Sequence, residues 1–409
     1  MIEGWVIKKL GEVLQKTETI NPIQKPDEKF IYIDVSSIDN QKFIITNTTT
    51  ILGKNAPSRA RKFVRENDII FATVRPTLKR IAIIPKELNG EVCSTGYFVL
   101  RPNESIHYKL LFYYLQTEDF ISSMEKLQKG ASYPAVTDGE VRQQLICYSR
   151  NFPEQHRIVS ILDEAFAAID QAKENTKRNL QNAKDLFQSE LNAIFTNKGE
   201  GWVARKIEDV SKVVNGFSFK SNDFSSTNKI KSVKITNVGV KQFVEEEGNY
   251  LPIAFSETFS EYSVQEGNIV IALTRTIISS GLKVAVVPKS YEGALINQRV
   301  AALVANHKII SQRFLYNFLC TDLVTNYVKA NVNTLMQPNL SIYDLKKMPI
   351  NCPPLEIQKQ IVHQLDALSA ETKKLETLYQ QKLNNLEDLK KSILEKAFKG
   401  ELKEREVAV

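Results

Sequence analysis

Sequence elements from the first half of this chain recur in the same order in its second half. The tripeptide Gly4-Trp5-Val6 recurs as Gly201-Trp202-Val203, and the two copies hold both tryptophans of the chain. The apolar runs 69–72 and 269–272 also match, and each is followed by an arginine, Arg75 and Arg275. Because the order is kept along the whole chain, the sequence predicts two copies of one module within its 409 residues.

Each copy opens with a globular part in which short apolar runs alternate with polar and glycine-containing turns. Residues 30–33, 81–84 and 284–287 are such runs, and runs of this length between turn residues are typical of strands. Residues 108–129 and 312–329 instead space their apolar side chains three and four apart, which predicts helices. The globular parts are therefore expected to mix α-helix and β-strand, and the fold class to be α+β.

A long stretch without proline or glycine closes each copy. Residues 154–196 follow Pro153, residues 355–399 follow Pro354, and the next glycines are Gly199 and Gly400. Proline favours the start of a helix and glycine its end. About 42 helical residues would extend roughly 60 Å, which is too long for burial in a small domain. Each stretch is therefore predicted to be a strut.

Apolar residues at steps of three and four form one seam along each predicted strut, as in a coiled coil. In the first strut the seam contains Ile158, Leu162, Ile169, Leu180 and Phe187. In the second it contains Ile361, Leu365, Leu375, Leu386 and Leu389. The alternative is that each helix packs on its own domain. The length and the narrow seam favour pairing of the two struts with each other as an antiparallel coiled coil.

The expected architecture is a tandem duplication with pseudo-twofold symmetry, in which two mixed α/β domains are joined by two long helices. The predicted boundaries are 1–152 for the first domain, 153–198 for the first helix, 199–352 for the second domain and 353–409 for the second helix.

Composition bounds the function without identifying it. The formal net charge of +7 is mildly basic and compatible with a nucleic-acid partner. The four cysteines have no C-x-x-C spacing, so we expect reduced thiols rather than a metal site or disulfides. The amino terminus has no apolar signal region and no 18-residue apolar run occurs, so we expect no membrane association and a cytoplasmic location.

No motif predicts catalysis or a bound cofactor. A phosphate-binding G-x-x-x-x-G-K-[ST] loop and an H-E-x-x-H metal motif are both absent from the sequence. The string Asn351-Cys352-Pro353-Pro354 is the nearest approach to an adenine-methyltransferase tetrapeptide, but its order is wrong. It is better interpreted as the turn that starts the second long helix.

Three motifs resemble the specificity subunits of type I restriction-modification enzymes. The E-x-Q-x-x-I-V-x-x-L-D pattern at the start of each long helix occurs at residues 153–163 and 354–366. Residues 66–70 and 266–270 resemble the family's G-D-[IV]-[LIV] signature. Residues 338–341 resemble its P-x-L-S turn before the last strand, from which the first copy departs at residues 134–137. The doubled architecture carries the resemblance, which covers essentially the whole chain.

The resemblance implies two target-recognition domains, each reading one half of a bipartite site in double-stranded DNA. The paired helices would fix the distance between the halves and dock two methyltransferase (M) subunits, and motor-nuclease (R) subunits would complete the enzyme. Methyl donor and nucleotide would belong to those partners, so the chain itself would be non-catalytic and bind no cofactor. Two alternatives stay open: a DNA-modifying enzyme with a divergent catalytic site, and a coiled-coil scaffold that binds only protein.

Candidate DNA-binding residues come from basic tracts and matching loops. In the first copy they are Lys54, Arg59, Arg61, Arg75, Lys79, Arg80, Ser132 and Tyr133. In the second they are Lys220, Lys231, Lys234, Arg275, Lys283 and Thr334. Basic tracts bind phosphate irrespective of sequence, whereas arginines that follow rigid strands suit base recognition. The competing interpretations are an ordinary solvated face for each lysine or arginine and, for Arg75 and Arg275, bracing of a loop.

Overall fold

The chain divides into two compact units that share both long helices. The structure is a computed structural model that describes residues 4–248, 250–331 and 339–402. One unit is Met1–Lys177 together with Gln380–Val409, and the other is Arg178–Tyr379. The division crosses the middle of each long helix, so each unit combines a globular portion with two helical segments.

The first unit contains eleven strands among its described residues. They are β1 (Trp5–Lys9), β2 (Lys29–Ile33), β3 (Ile38–Asp39), β4 (Ile44–Ile45), β5 (Thr49–Leu52), β6 (Ala60–Phe63), β7 (Ile69–Ala72), β8 (Ile81–Ile83), β9 (Val92–Ser94), β10 (Tyr97–Leu100) and β11 (Leu145–Ser149). They form a sheet of order β5-β2-β9-β6, a sheet of order β10-β7-β8, and the pairs β1-β11 and β3-β4.

The second unit contains ten strands in its described part. They are β12 (Val203–Lys206), β13 (Ser211–Asn215), β14 (Ser232–Val233), β15 (Ile269–Ala272), β16 (Ile277–Ile278), β17 (Gly281–Leu282), β18 (Val284–Val286), β19 (Leu295–Ile296), β20 (Val300–Ala305) and β21 (Pro349–Cys352). The main sheet has the order β13-β20-β15-β18, and the remaining strands pair as β12-β21, β14-β19 and β16-β17.

Three strand arrangements recur in the two units, in agreement with the duplication. In each, the first and last strands of the globular portion pair antiparallel, β1 with β11 and β12 with β21. In each, a central antiparallel strand lies between two neighbours, β7 between β10 and β8 and β15 between β20 and β18. A short parallel pair, β2-β9 or β14-β19, also occurs in both.

Among the described residues, three short α-helices and one long α-helix occur in the same order in both units, and the second unit has two further short α-helices. The α-helices are α1 (Tyr108–Tyr114), α2 (Glu118–Leu127), α3 (Asp138–Arg142), α4 (Phe152–Thr196), α5 (Ile207–Val210), α6 (Phe255–Thr258), α7 (Gln312–Leu319), α8 (Asp322–Asn331), α9 (Ile342–Lys347) and α10 (Leu355–Lys399). The two long helices, α4 and α10, confirm the predicted struts. No helix among the described residues has the length and apolarity that a membrane span requires.

The helix predicted over residues 108–129 is two helices, α1 and α2, and the helix predicted over 312–329 is likewise α7 and α8. The break follows from a hydroxyl cap. Thr117 Oγ1 accepts the backbone N–H of Phe120 at 3.3 Å, and Thr321 Oγ1 accepts that of Val324 at 3.4 Å. A threonine that bonds the backbone in this way starts a new helix, although the apolar spacing continues across the break.

A short helix separates the P-x-L-S turn from the last strand, where the sequence pattern predicted the turn alone. The Ser341 side chain caps α9 by accepting the backbone N–H of Asp344. The Thr137 side chain caps α3 by accepting the backbone N–H of Glu140. The threonine of the first copy therefore does the work of the serine in the second. Pro338 lies outside the described residues.

The central strand of each unit is buried on both faces. Alternate residues of a strand point to opposite faces. Ile69 and Phe71 lie in the core that also receives the long helices, while Ile70 and Ala72 lie in a second core on the other face. In β15, Ile269 and Ile271 are divided from Val270 and Ala272 in the same way. This double burial explains the continuous apolar runs in the sequence and gives a rigid support to the arginine that follows each strand.

The long helices run antiparallel within each unit. In the first unit Asp170 Oδ1 lies 3.9 Å from Lys390 Nζ, and one turn later Lys173 Nζ lies 2.6 Å from Glu387 Oε1. Position numbers that rise on one helix while falling on the other indicate opposite directions. Within the second unit Gln364 Nε2 donates to Glu190 Oε1 at 3.3 Å.

Most of the predicted seam residues are buried or half-buried, and Leu375 is the exception. Buried positions are Ile158, Leu162, Ile169, Leu365 and Leu386. Leu180, Phe187, Ile361 and Leu389 are half-buried. Leu375 is 36% exposed, whereas Thr372 on the same helix is buried. Three residues turn a helix by about 300°, so with Thr372 facing inward Leu375 lies at the edge of the packed face.

Candidate nucleic-acid interface

Arg75 and Arg275 occupy equivalent turns directly after the central strands. Both are exposed, and both have left-handed backbone conformations, with φ of 51° and 49°. This conformation is uncommon for residues other than glycine. The residues on either side are anchored: Thr73 donates its N–H to Gly96 O at 2.9 Å, and Pro76 is buried. The strand end therefore directs the arginine side chain outward.

A returning loop fixes the turn in each unit. Arg75 N–H donates to Pro134 O at 2.7 Å, and Val136 N–H donates to Thr73 O at 3.0 Å. In the second unit Leu340 N–H donates to Leu273 O at 2.9 Å. The first of the two predicted loops therefore lies next to Arg75. Thr334, the candidate from the second loop, lies outside the described residues.

The guanidinium of Arg75 is positioned by two neighbours in this loop. Its carbon lies 5.0 Å from the ring centroid of Tyr133, and one terminal nitrogen donates to Ser132 O at 3.3 Å. Tyr133 is 72% exposed. The structure thus brings three of the candidate residues together into one exposed cation–aromatic group.

The segment 54–80, which contains eight lysines and arginines, is partly neutralised by acids from distant segments. Lys79 Nζ pairs with Glu118 at 2.8 Å, and this contact lowers the pKa of that carboxyl below its usual range. Lys54 lies 3.9 Å from Asp27. Lys62 and Arg65 each have a carboxylate at 2.7 Å, from Asp138 and Glu18 respectively. The sequence interpretation, which counted only the acids within the tract, therefore overestimates the net positive charge.

The other arginines of this tract differ in exposure. Arg61 is half-buried and donates to the carbonyl of Ala60 at 2.9 Å. Arg80 is half-buried, and its carbonyl accepts the N–H of Ala72 at 2.9 Å. Arg59 is exposed. Of these three, Arg59 is therefore the best placed for an external anion.

In the second unit the lysine candidates lie beside aromatic rings or backbone carbonyls. Lys231 Nζ lies 4.4 Å from the ring centroid of Tyr291, and Lys234 Nζ lies 4.4 Å from that of Phe224. Lys283 Nζ donates to Ile235 O at 2.7 Å, and burial together with the nearby Arg275 lowers its pKa. Lys220 is exposed, and its backbone N–H donates to Asp223.

Comparisons with known proteins identify the family of this chain. A family model described as type I restriction modification DNA specificity domain matches residues 2–181 and 199–387. The chain belongs to this family. It carries the specificity domain twice, and DNA specificity in a type I restriction-modification system is the function that the family shares.

Specificity subunits that match over nearly the whole chain support the same family assignment. The chain is 24% identical to the type I restriction enzyme MjaVIII specificity subunit of Methanocaldococcus jannaschii, over 98% of this chain and 93% of that protein. It is 24% identical to the EcoKI specificity subunit of Escherichia coli K12, over 98% and 89%. The match to the HsdS subunit from Thermoanaerobacter tengcongensis has a TM-score of 0.66 at 27% identity and covers 98% of each chain.

A second solved structure matches more closely in shape. This structure concerns complex assembly and conformational transition of the type I R-M system. One of its chains matches this chain with a TM-score of 0.84 at 27% identity. The match covers 98% of this chain and 99% of that one. The tandem fold of the specificity family therefore extends over the whole chain.

The motif at the start of each long helix anchors that helix to its globular portion. Gln155 is fully buried: its Nε2 donates to Ser105 O at 3.0 Å and to Ser149 O at 2.8 Å, and its Oε1 accepts the N–H of His107 at 2.7 Å. The sequence pattern marks this glutamine, but its role became visible only in the structure.

Gln358 repeats the arrangement in the second unit of this specificity-family chain. It is also fully buried, donates to Ile309 O and Pro353 O at 2.9 Å, and accepts the N–H of Ser311 at 2.8 Å. A buried amide with three backbone partners fixes both the position and the direction of the helix that carries it.

The aspartate of the same motif adds a second anchor about two helical turns further along. Asp163 accepts from Lys109 Nζ and from the hydroxyl of Tyr113. Asp366 accepts two nitrogens of Arg313, at 3.1 and 2.7 Å. The two copies therefore keep the carboxylate and change its partner.

Three of the cysteines, Cys93, Cys320 and Cys352, are buried free thiols. Burial raises the pKa of the Cys93 thiol to about 12 and those of Cys320 and Cys352 to about 11, and a thiol in this state is a poor nucleophile. Within residues 4–248, 250–331 and 339–402, no group of three or more His, Cys, Asp or Glu side chains could hold a metal ion. Cys352 ends β21, so the Asn351–Pro354 string spans a strand end and a helix start.

Proposed function

We propose that this chain reads the DNA sequence for a type I restriction-modification enzyme, and that each globular portion reads one half of a bipartite site. The observation that carries the proposal is the repetition of one surface feature. In each unit a doubly buried strand ends in an exposed arginine with a left-handed backbone. Rigid strands that present polar residues on their terminal loops are a common support for recognition.

The paired helices have a different task in this proposal. They fix the spacing between the half-sites and dock two methyltransferase subunits, and motor-nuclease subunits complete the enzyme. The supporting observations are the antiparallel ion pairs within the first unit and the buried glutamine that ties each helix to its globular portion. A rigid junction is needed if a helix is to set the position of a DNA-reading surface.

The chemistry belongs to the partners in this proposal, and the chain acts without a cofactor in the cytoplasm. Methyl donor and nucleotide bind to the methyltransferase and motor subunits. The raised pKa values of the buried thiols support a non-catalytic role, because these cysteines are unsuited to nucleophilic catalysis.

A reconstitution experiment tests the proposal. The full chain is purified alone and together with its co-expressed methyltransferase, and both samples receive labelled methyl donor and genomic DNA. We expect methyl transfer only from the complex, at one bipartite motif. Methyl transfer by the chain alone would instead support a DNA-modifying enzyme. A complex that assembles but has no greater affinity or sequence preference for DNA than the methyltransferase alone would support a protein-only scaffold.

A further inference from the structure

We propose that Arg75 and Arg275 are specificity-determining residues, each of which reads a guanine edge in one half of the DNA site. This inference rests on the proposed function and assigns residues to it. It depends on three observations: the backbone at these positions, the absence of a compensating acid, and the orientation of the Arg75 guanidinium.

The backbone geometry is the same in the two units although the surrounding sequence has changed. Both arginines have φ near +50°, and residues 71–76 and 271–276 share one burial pattern, in which the arginine is the exposed position. Between the copies Thr73 corresponds to Leu273 and Pro76 to Thr276. Glycine would adopt this backbone conformation without strain. A loop that only needed the turn would therefore be served better by glycine than by arginine at this position.

The charges of the two arginines are not neutralised by the protein. Within the part of the chain that the structure describes, neither Arg75 nor Arg275 forms an ion pair with a carboxylate, whereas Lys79, which also has a positive φ, pairs with Glu118 at 2.8 Å. Arg275 lies close enough to lower the pKa of Lys283. Uncompensated positive charge on an exposed turn indicates an external partner that carries electronegative atoms.

The position of the Arg75 guanidinium leaves donors available for a base edge. Tyr133 covers one face of the guanidinium, and the bond to Ser132 O uses one of its nitrogens. A guanidinium carries five N–H donors in a planar fork, so other donors in that plane are left for a ligand. The fork of arginine matches the O6 and N7 acceptors of guanine, and a side chain held in one plane loses little freedom on binding.

The test uses the complex of the full chain with its methyltransferase. The methylated motif in DNA from cells that carry the system gives the cognate site. Affinities are then measured for the cognate duplex, for duplexes mutated in either half, and for a random duplex. The variants are Arg75→Gly, Arg75→Lys, Arg275→Gly and Arg275→Lys, and the matched control is Arg150→Lys, at an exposed arginine outside the candidate residues. Glycine keeps the left-handed turn, and lysine keeps the charge while it loses the fork.

We expect each Arg75 variant to lower the affinity for the cognate duplex about 10- to 100-fold. Each Arg275 variant should lower it by a similar factor, but by losing contacts to the other half of the site. The affinity of the lysine variants for random DNA should stay within about twofold of wild type, and Arg150→Lys should discriminate between the duplexes as the wild type does. Tyr133→Ala should cost about two- to fivefold on cognate DNA alone.

The possible failures are separable. A wild-type complex that cannot distinguish cognate from random DNA would overturn the proposed function itself. If the wild-type complex discriminates but the glycine variants lose affinity by the same factor on every duplex, or lose none, this inference alone is overturned. In that case the arginines hold phosphate or brace the loop.

Discussion

Gln155→Met should destabilise the first unit by roughly 3–5 kcal/mol. Methionine is close to glutamine in volume, so the packing is kept while the amide is removed. Three backbone groups lose their partner: the N–H of His107 and the carbonyls of Ser105 and Ser149. Each buried group left unsatisfied costs about 1–3 kcal/mol, and the three costs are not independent because they come from one side chain.

The expected loss is a large share of the roughly 5–15 kcal/mol that stabilises a typical domain. Urea unfolding measures it through the transition midpoint, and hydrogen exchange of peptides from each unit shows where the loss falls. Gln171→Met on the same helix is the matched control, because Gln171 is exposed and its side chain donates to Asn175 Oδ1 at 3.3 Å. Gln358→Met should lower the stability of the second unit by a similar amount. If Gln155→Met and Gln171→Met unfold at the same urea concentration, the anchoring role is refuted.

Three further predictions concern single side chains. Arg101→Met should destabilise the first unit by about 3–5 kcal/mol, because the buried carboxylate of Asp68 loses the guanidinium that now lies 2.8 Å from it. A change in unfolding free energy below about 1 kcal/mol, measured in urea, would contradict this. Because burial raises the pKa of the Cys93 thiol to about 12, this thiol should react with iodoacetamide at pH 8 far more slowly in the folded chain than in urea; equal rates would show that it is accessible. Lys234→Ala should weaken binding to every duplex alike and reduce the slope of log affinity against log salt by about one, whereas an unchanged slope would mean that Lys234 holds no phosphate.

The architecture could be predicted because its signals are local and doubled. The helices α4 and α10 cover the stretches 154–196 and 355–399 that contain no proline or glycine beyond the helix entry, since the prolines before them and the glycines after them limit where such helices can extend. The break between α1 and α2 was not predicted. It depends on one hydroxyl of Thr117, whose bond to the backbone does not disturb the apolar spacing.

The charge on the candidate surfaces could not be predicted from neighbouring residues in the sequence. Lys79 pairs with Glu118 and Lys62 with Asp138, across long stretches of chain. A tract that is basic in sequence is therefore partly neutral in the fold. Tertiary contacts decide which cations stay available, and a single sequence does not show them.

The roles of the motif residues likewise needed the fold. The glutamine at positions 155 and 358 was part of a recognised pattern, but only the structure shows a buried amide with three backbone partners. The left-handed turn at Arg75 has no sequence signal, because arginine rarely adopts positive φ. Its equivalence with Arg275 was nevertheless visible in the alignment of the two copies.

A domain exchange tests the central claim most directly. Residues 1–152 are replaced by the matching domain of a relative with a different target, and the methylated motif is mapped in cells that carry the hybrid with its methyltransferase. Because the two units have separate hydrophobic cores, the account predicts that one half of the bipartite motif changes while the other half and the spacing stay the same. A change in both halves, or in neither, would contradict it.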